Sequence, residues 1–127
     1  MTRFNDWPQR LEKYLIAYGT TKFEFGVNDC ATFTSGAWNT MTGVNLLEGV
    51  EYRDSSDVEA LTEAAVTKHG LRERDSRYHA QRGDIVLYQN LTDKALGVAA
   101  LDGKSIVILA DGLIQIKLAR ALKAWGI

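Results

Sequence analysis

At 127 residues, 46% of them hydrophobic and 24% charged, the chain is long enough for one domain with one core and too apolar to be disordered. Its net charge of −1 supplies no electrostatic drive towards nucleic acid or an anionic membrane surface. One cysteine and two histidines allow neither an internal disulfide nor a zinc site, so no cofactor or metal is expected.

The opening stretch MTRFNDWPQR has no apolar segment of the kind a signal peptide needs, and no apolar run along the chain reaches the length of a membrane span. The expectation is a protein made in the cytoplasm without membrane insertion. The first predicted helix starts at Asp6, a plausible N-cap, with Pro8 in its first turn, where a missing N–H costs nothing. Trp7, Leu11, Tyr14, Leu15 and Tyr18 recur at helical spacing and Gly19 follows them. A second helix is predicted from about Asp29 to Met41, with Asn28 or Asp29 as cap, Cys30, Phe33, Ala37, Trp38 and Met41 on one face, and Gly43 beyond its end. The third spans about Asp57 to His69, with Ser56 and Glu59 in a capping-box pattern and Gly70 closing it. The arginines between Arg72 and Arg82 are diluted by Glu73 and Asp75 and read as a solvated loop.

After Gly83 the pattern changes. DIVLYQ, LGVAAL, SIVILA and GLIQIKL read as four strands, with Asp102-Gly103-Lys104 and Asp111-Gly112 as hairpin turns. Asp84 reads as a turn residue whose carboxylate takes backbone N–H groups. The final ARALKAWGI is either a helical turn or a closing strand. Asn90-Leu91-Thr92 fits the glycosylation pattern and is discounted because no secretory signal precedes it. Helices first and strands afterwards predict an α+β fold: a single domain over 1–127, helical over about 6–70, with an antiparallel sheet of four or more strands over about 83–127.

The stretch GVNDCATF, Gly26 to Phe33, places the only cysteine, Cys30, at the start of a helix. Unpaired N–H groups and the helix dipole favour a thiolate there and could hold an oxyanion. Asp29-Cys30, then Gly83-Asp84-Ile85-Val86, then Ala95-Leu96-Gly97-Val98 running to Asp102-Gly103, resemble in order the motifs of the NlpC-type, papain-like cysteine peptidases, which cut peptides of bacterial peptidoglycan. The chain from Phe23 onward is also similar to short phage and prophage tail proteins of that fold class, which share the run Phe23 to Phe33, the Gly-Asp strand, the Leu-Gly-Val strand and a C-terminal tryptophan, here Trp125.

That resemblance implies a histidine on the strand facing the cysteine and a third polar group on the next strand. Ala95 stands at the first position, and Leu109 and Ala110 are nearest to the second. An alanine methyl can neither accept the thiol proton nor pair with a thiolate, and Asp29 sets a negative charge beside Cys30 that opposes its ionisation. Asp29 itself reads as a helix cap. His69 belongs to the end of the third helix, and His79, in the loop before the Gly83-Asp84 strand, is the remaining candidate base. Three expectations follow. One is a phage tail component at the tip or baseplate, a pseudoenzyme in the virion that binds other tail proteins through segments such as Leu46 to Asp54 and Arg72 to Arg82, with Tyr52, Tyr78 and Trp125 buried only on assembly. The alternative is an active cysteine hydrolase that contacts and cuts peptidoglycan peptides during phage entry, with Cys30 as nucleophile and a base from His79 or a neighbouring subunit. The third is a binding module that uses the vacated cleft for a peptide or glycan.

Overall fold

The computed structural model of the chain describes every residue except Thr92, and Ser55 without its side chain, so the Asn90-Leu91-Thr92 pattern lies partly outside the described residues. Three helices come first. The opening helix, α1, is Trp7–Tyr18, and its apolar stripe is used as expected: Leu11 is fully buried while Trp7, Tyr14, Leu15 and Tyr18 pack around it. Asp6 makes no side-chain cap, because its carboxylate is taken by Arg10 at 2.7 Å. Next comes α2, Cys30–Thr42, which buries Phe33, Ala37, Trp38 and Met41 and ends at Gly43 in the left-handed conformation. The third, α3, is Val58–His69, entered through a 3-10 turn at Ser55–Asp57. The expected capping box is not formed there. Asp57 is the N-cap but its carboxylate accepts the Arg53 N–H at 2.8 Å rather than capping the helix, and Glu59 reaches Lys94 at 2.6 Å instead.

Six strands follow: β1 Arg72–Glu73, β2 Ile85–Asn90, β3 Asp93–Ala99, β4 Ser105–Ala110, β5 Gly112–Lys117 and β6 Ala121–Gly126. They form one antiparallel sheet in the order β1-β6-β2-β3-β4-β5. The architecture is therefore α+β, three helices and then an antiparallel sheet. Strands β2 to β5 make the expected meander. The C-terminal segment is a strand, and it returns to lie between β1 and β2 rather than extending the meander. The Arg72 to Arg82 segment, expected as a solvated loop, supplies β1 and a 3-10 turn at Arg77–His79.

The sheet is apolar on both faces, which is why its strands read as continuous hydrophobic runs. One face, with Ile85, Leu87, Leu96, Val98 and Trp125, packs on the helices. The other gathers Val86, Tyr88, Ala95, Ile106 and Ile108, and Ala80, Ile116 and Leu118 pack against it. Strand β4 meets β3 only at Val98 and Ala99. Gly97 permits that approach, since a Cβ there would lie 2.7 Å from both the Ile106 side chain and the Val107 carbonyl oxygen. The pairing leaves the first half of β3 without a strand neighbour on that side, and α2 packs on β3.

Candidate functional site

The local sequence explains how Cys30 is placed. Asp29 closes a capping box with Thr32: the Thr32 N–H donates to Asp29 Oδ1 at 2.9 Å and the Asp29 N–H donates to Thr32 Oγ1 at 2.8 Å. Such a box is worth about 1 kcal/mol and fixes where the helix begins. The second carboxylate oxygen of Asp29 accepts the Gly26 N–H at 2.8 Å and the Tyr52 hydroxyl at 2.7 Å. The aspartate is only 2% exposed and has neutral donors throughout. Burial pushes its pKa up, and the bonds from Thr32, Tyr52 and Gly26 outweigh that and hold it below the usual carboxylate range.

Cys30 is the first residue of α2, is half-buried, and borders both apolar clusters. Its sulfur sits against β3, where the Leu96 backbone N–H favours the thiolate, as do those of Ala31 and Cys30 itself. Burial opposes them and the Asp29 charge adds to it, so the thiol titrates above its ordinary value. Two phenols feel the sulfur. Tyr88 is pushed up to about 12 by burial first and then by Cys30, and Tyr52 is raised as well by burial, the Asp29 bond and charge, and Cys30.

Ala95 lies in the buried cluster that Cys30 borders and pairs with Tyr88 across the β2–β3 ladder. The position that the resemblance assigns to a histidine is thus filled by a methyl group in a cluster that Cys30 borders. Leu109 on β4 is buried in the helix-side core. His79 forms no hydrogen bond with Cys30 among the described residues. It is exposed in the 3-10 turn and lines a polar surface pocket with Arg72, Arg74 and Gln81. His69 ends α3, its Nε2 buried without a hydrogen-bond partner. Among the described residues, no imidazole bonds to the thiol.

The residue sequence reasoning missed at this site is Tyr52, which ties the loop before α3 to Asp29. No periodicity links it to a residue 23 positions earlier. Its ring packs edge-on with Phe25 at 5.6 Å. Beside the pair opens a cleft of about 920 Å³ lined by Gly26, Val50, Tyr52, Arg53 and the Ala60–Ala64 side of α3. A different buried aspartate organises the far end of β2. Asp84 takes the Gln81 N–H at 2.8 Å, as expected of a turn residue, but also a two-pronged bond from Arg74 at 2.8 and 2.9 Å and an ion pair with Arg3 at 3.6 Å.

A family model described as Domain of unknown function (DUF6950) matches residues 2–127. The chain belongs to this family. Among solved structures it is similar in fold to the wild-type endolysin LysIME-EF1, with a TM-score of 0.54 at 12% sequence identity. The alignment covers 99% of this chain and 64% of the endolysin chain. No curated protein matches the sequence. Among the described residues, no helix is long and apolar enough to cross a membrane and no cluster of His, Cys, Asp and Glu is placed to hold a metal ion.

Proposed function

We propose that this protein is a structural or assembly component of a phage tail, at the tip or baseplate, built as a single domain on a peptidase-like fold that no longer turns over substrate. The observation that carries this reading is the surroundings of Cys30. A nucleophilic thiol needs a base within hydrogen-bond reach and a polar group to orient that base. Here the facing strand offers Ala95, the strand beyond it offers Leu109, and the nearest charge is the anionic Asp29. The NlpC-type motif order and the fold likeness to an endolysin support descent from a cell-wall hydrolase. The similarity to short tail proteins supports the virion setting, with other tail proteins as partners.

Trp125, expected as an assembly contact, is buried within the chain itself. Tyr78 and Tyr52 keep exposed surface. A second reading, a cysteine hydrolase cutting peptidoglycan peptides, draws on one feature: the backbone N–H groups of Leu96, Ala31 and Cys30 that favour a thiolate.

The rate of Cys30 alkylation by iodoacetamide against pH, with Cys30→Ser as blank, separates the two. The expected result is slow labelling of the folded protein with a midpoint above the free-thiol value of about 8.5, and no Cys30-dependent release of peptides from peptidoglycan. Fast labelling with a midpoint well below that value, or hydrolysis abolished by Cys30→Ser, would overturn the assembly reading in favour of the hydrolase. Ala95→His sharpens the test. It should lower the thiol midpoint through an imidazolium partner and still give no turnover, because Leu109 offers nothing to orient the ring.

A further inference from the structure

The cleft beside Tyr52 continues onto an exposed apolar turn. Phe23, Phe25 and Val27 stand in solvent within five residues, and Phe25 leans on the Tyr52 ring. Single exposed apolar residues are ordinary, but three together beside a cleft of this size mark a contact surface. The rim of the cleft is acidic. From Glu48 to Glu63 the chain carries six carboxylates and one cation, Arg53. Glu59 and Glu63 are matched by Lys94 and Lys123. Glu51 lines the cleft, is exposed and has no ionic partner among the described residues.

The Arg72 to Arg82 segment has a basic excess, its four arginines outnumbering Glu73 and Asp75. Tyr78 is 63% exposed at the tip of the 3-10 turn, with the Arg77 guanidinium over its ring at 5.0 Å. Arg72 and Arg82 are exposed nearby in sequence, and Arg72 has no ionic partner among the described residues. A projecting tyrosine flanked by arginines is the composition that dominates binding energy at protein interfaces.

We propose that a second copy of this chain docks its Tyr78 turn into the Tyr52 cleft, with Arg72 facing Glu51 across the contact. The two surfaces differ, so the contact is either met twice in a reciprocal pair or repeated head to tail in a ring. The charge match sets orientation and makes the association salt-sensitive, while the tyrosine on the apolar floor supplies most of the affinity. This deepens the assembly reading by naming one partner, and it uses neither Cys30 nor Asp29.

Sedimentation velocity on the full chain tests it. The wild type should exceed the monomer mass at low salt and return to it at high salt. Tyr78→Ala should weaken association about tenfold or more. Glu51→Arg and Arg72→Glu should each weaken it, and the two together in one chain should regain it by restoring the pair with reversed sign. Circular dichroism confirms that each variant is folded. A chain that stays monomeric at low salt up to millimolar concentration, or an association indifferent to both Tyr78→Ala and Glu51→Arg, would overturn the proposal. A monomer would leave the assembly reading to other partners, whereas Cys30-dependent hydrolysis would overturn that reading and leave self-association standing.

Discussion

Asp29 and Asp84 are both fully buried carboxylates, and the chain treats them in opposite ways. Asp84, 0% exposed, is neutralised: Arg74 grips it with two parallel bonds and Arg3 adds a second positive charge. Asp29 is satisfied but not neutralised, since every one of its donors is a backbone N–H or a hydroxyl. A carboxylate held by cations is electrically quiet and serves the fold. A carboxylate held by neutral donors keeps its field, and Cys30 sits in that field. The difference teaches that full hydrogen bonding is a separate matter from charge balance, and that a helix N-terminus need not activate a thiol when its own cap is anionic.

The largest effect should come from breaking the centre around Asp84. Asp84→Asn leaves the half-buried Arg74 and Arg3 without a counter-charge, and Arg3 already has Nε and Nη2 without hydrogen bonds, resting on the faces of Trp7 and Trp38. Removing one partner of such a group costs about 3–5 kcal/mol, read as a fall in the urea midpoint. Gly126→Ala strikes the same centre by steric means. A Cβ there would lie 2.2 Å from both Arg74 Nη2 and Asp84 Oδ1, so the ion pair or β6 must shift, at about 1–3 kcal/mol. Neither change should alter the reactivity of Cys30, which belongs to the other aspartate.

Acid should act on Asp29 in a direction its environment fixes. Its folded pKa lies below the ordinary carboxylate range, so the unfolded chain takes up the proton first. The stability it contributes is therefore complete above the unfolded pKa and is lost as pH falls through the folded one. Asp29→Asn should remove that part of the acid dependence of unfolding while also lowering the Cys30 alkylation midpoint, since the repelling charge is gone. An unchanged midpoint in that variant would show that burial alone raises the thiol.

Much of this was legible in the sequence where a signal is local. The helices around Leu11 and Trp38, the Asp29 cap and the four-strand meander all follow from spacing, caps and turn residues within a few positions. Gly97 as a close approach was legible too, because a glycine inside a strand pattern has few other uses. What escaped depends on distant residues meeting. Nothing in Arg72 to Arg82 distinguishes a solvated arginine from Arg74, which reaches Asp84 only because β6 pairs with β1 on one side and β2 on the other. The capping pattern of Ser56 and Glu59 was overridden because Glu59 found Lys94 across the fold. Trp125, expected to be buried only on assembly, is covered within the chain because β6 lies between β1 and β2.

The smallest change bears most directly on the site. Tyr52→Phe removes a single hydroxyl and keeps the ring against Phe25. Asp29 then loses one of its donors, at about 1.5 kcal/mol for a hydrogen bond to a charged group, while its charge and the capping box remain. The hydroxyl is also what ties the 50–53 loop to the Gly26 turn, so its loss frees the cleft wall beside the thiol. If access limits Cys30, Tyr52→Phe should speed alkylation at every pH by a similar factor and leave the midpoint where it was. If the field of Asp29 limits it, the less well-screened carboxylate should raise the midpoint and slow the reaction at neutral pH. The two outcomes differ in the shape of the pH profile, not only in rate. They decide whether the tyrosine acts at this site as a cover over the sulfur or as a partner that tempers the charge beside it.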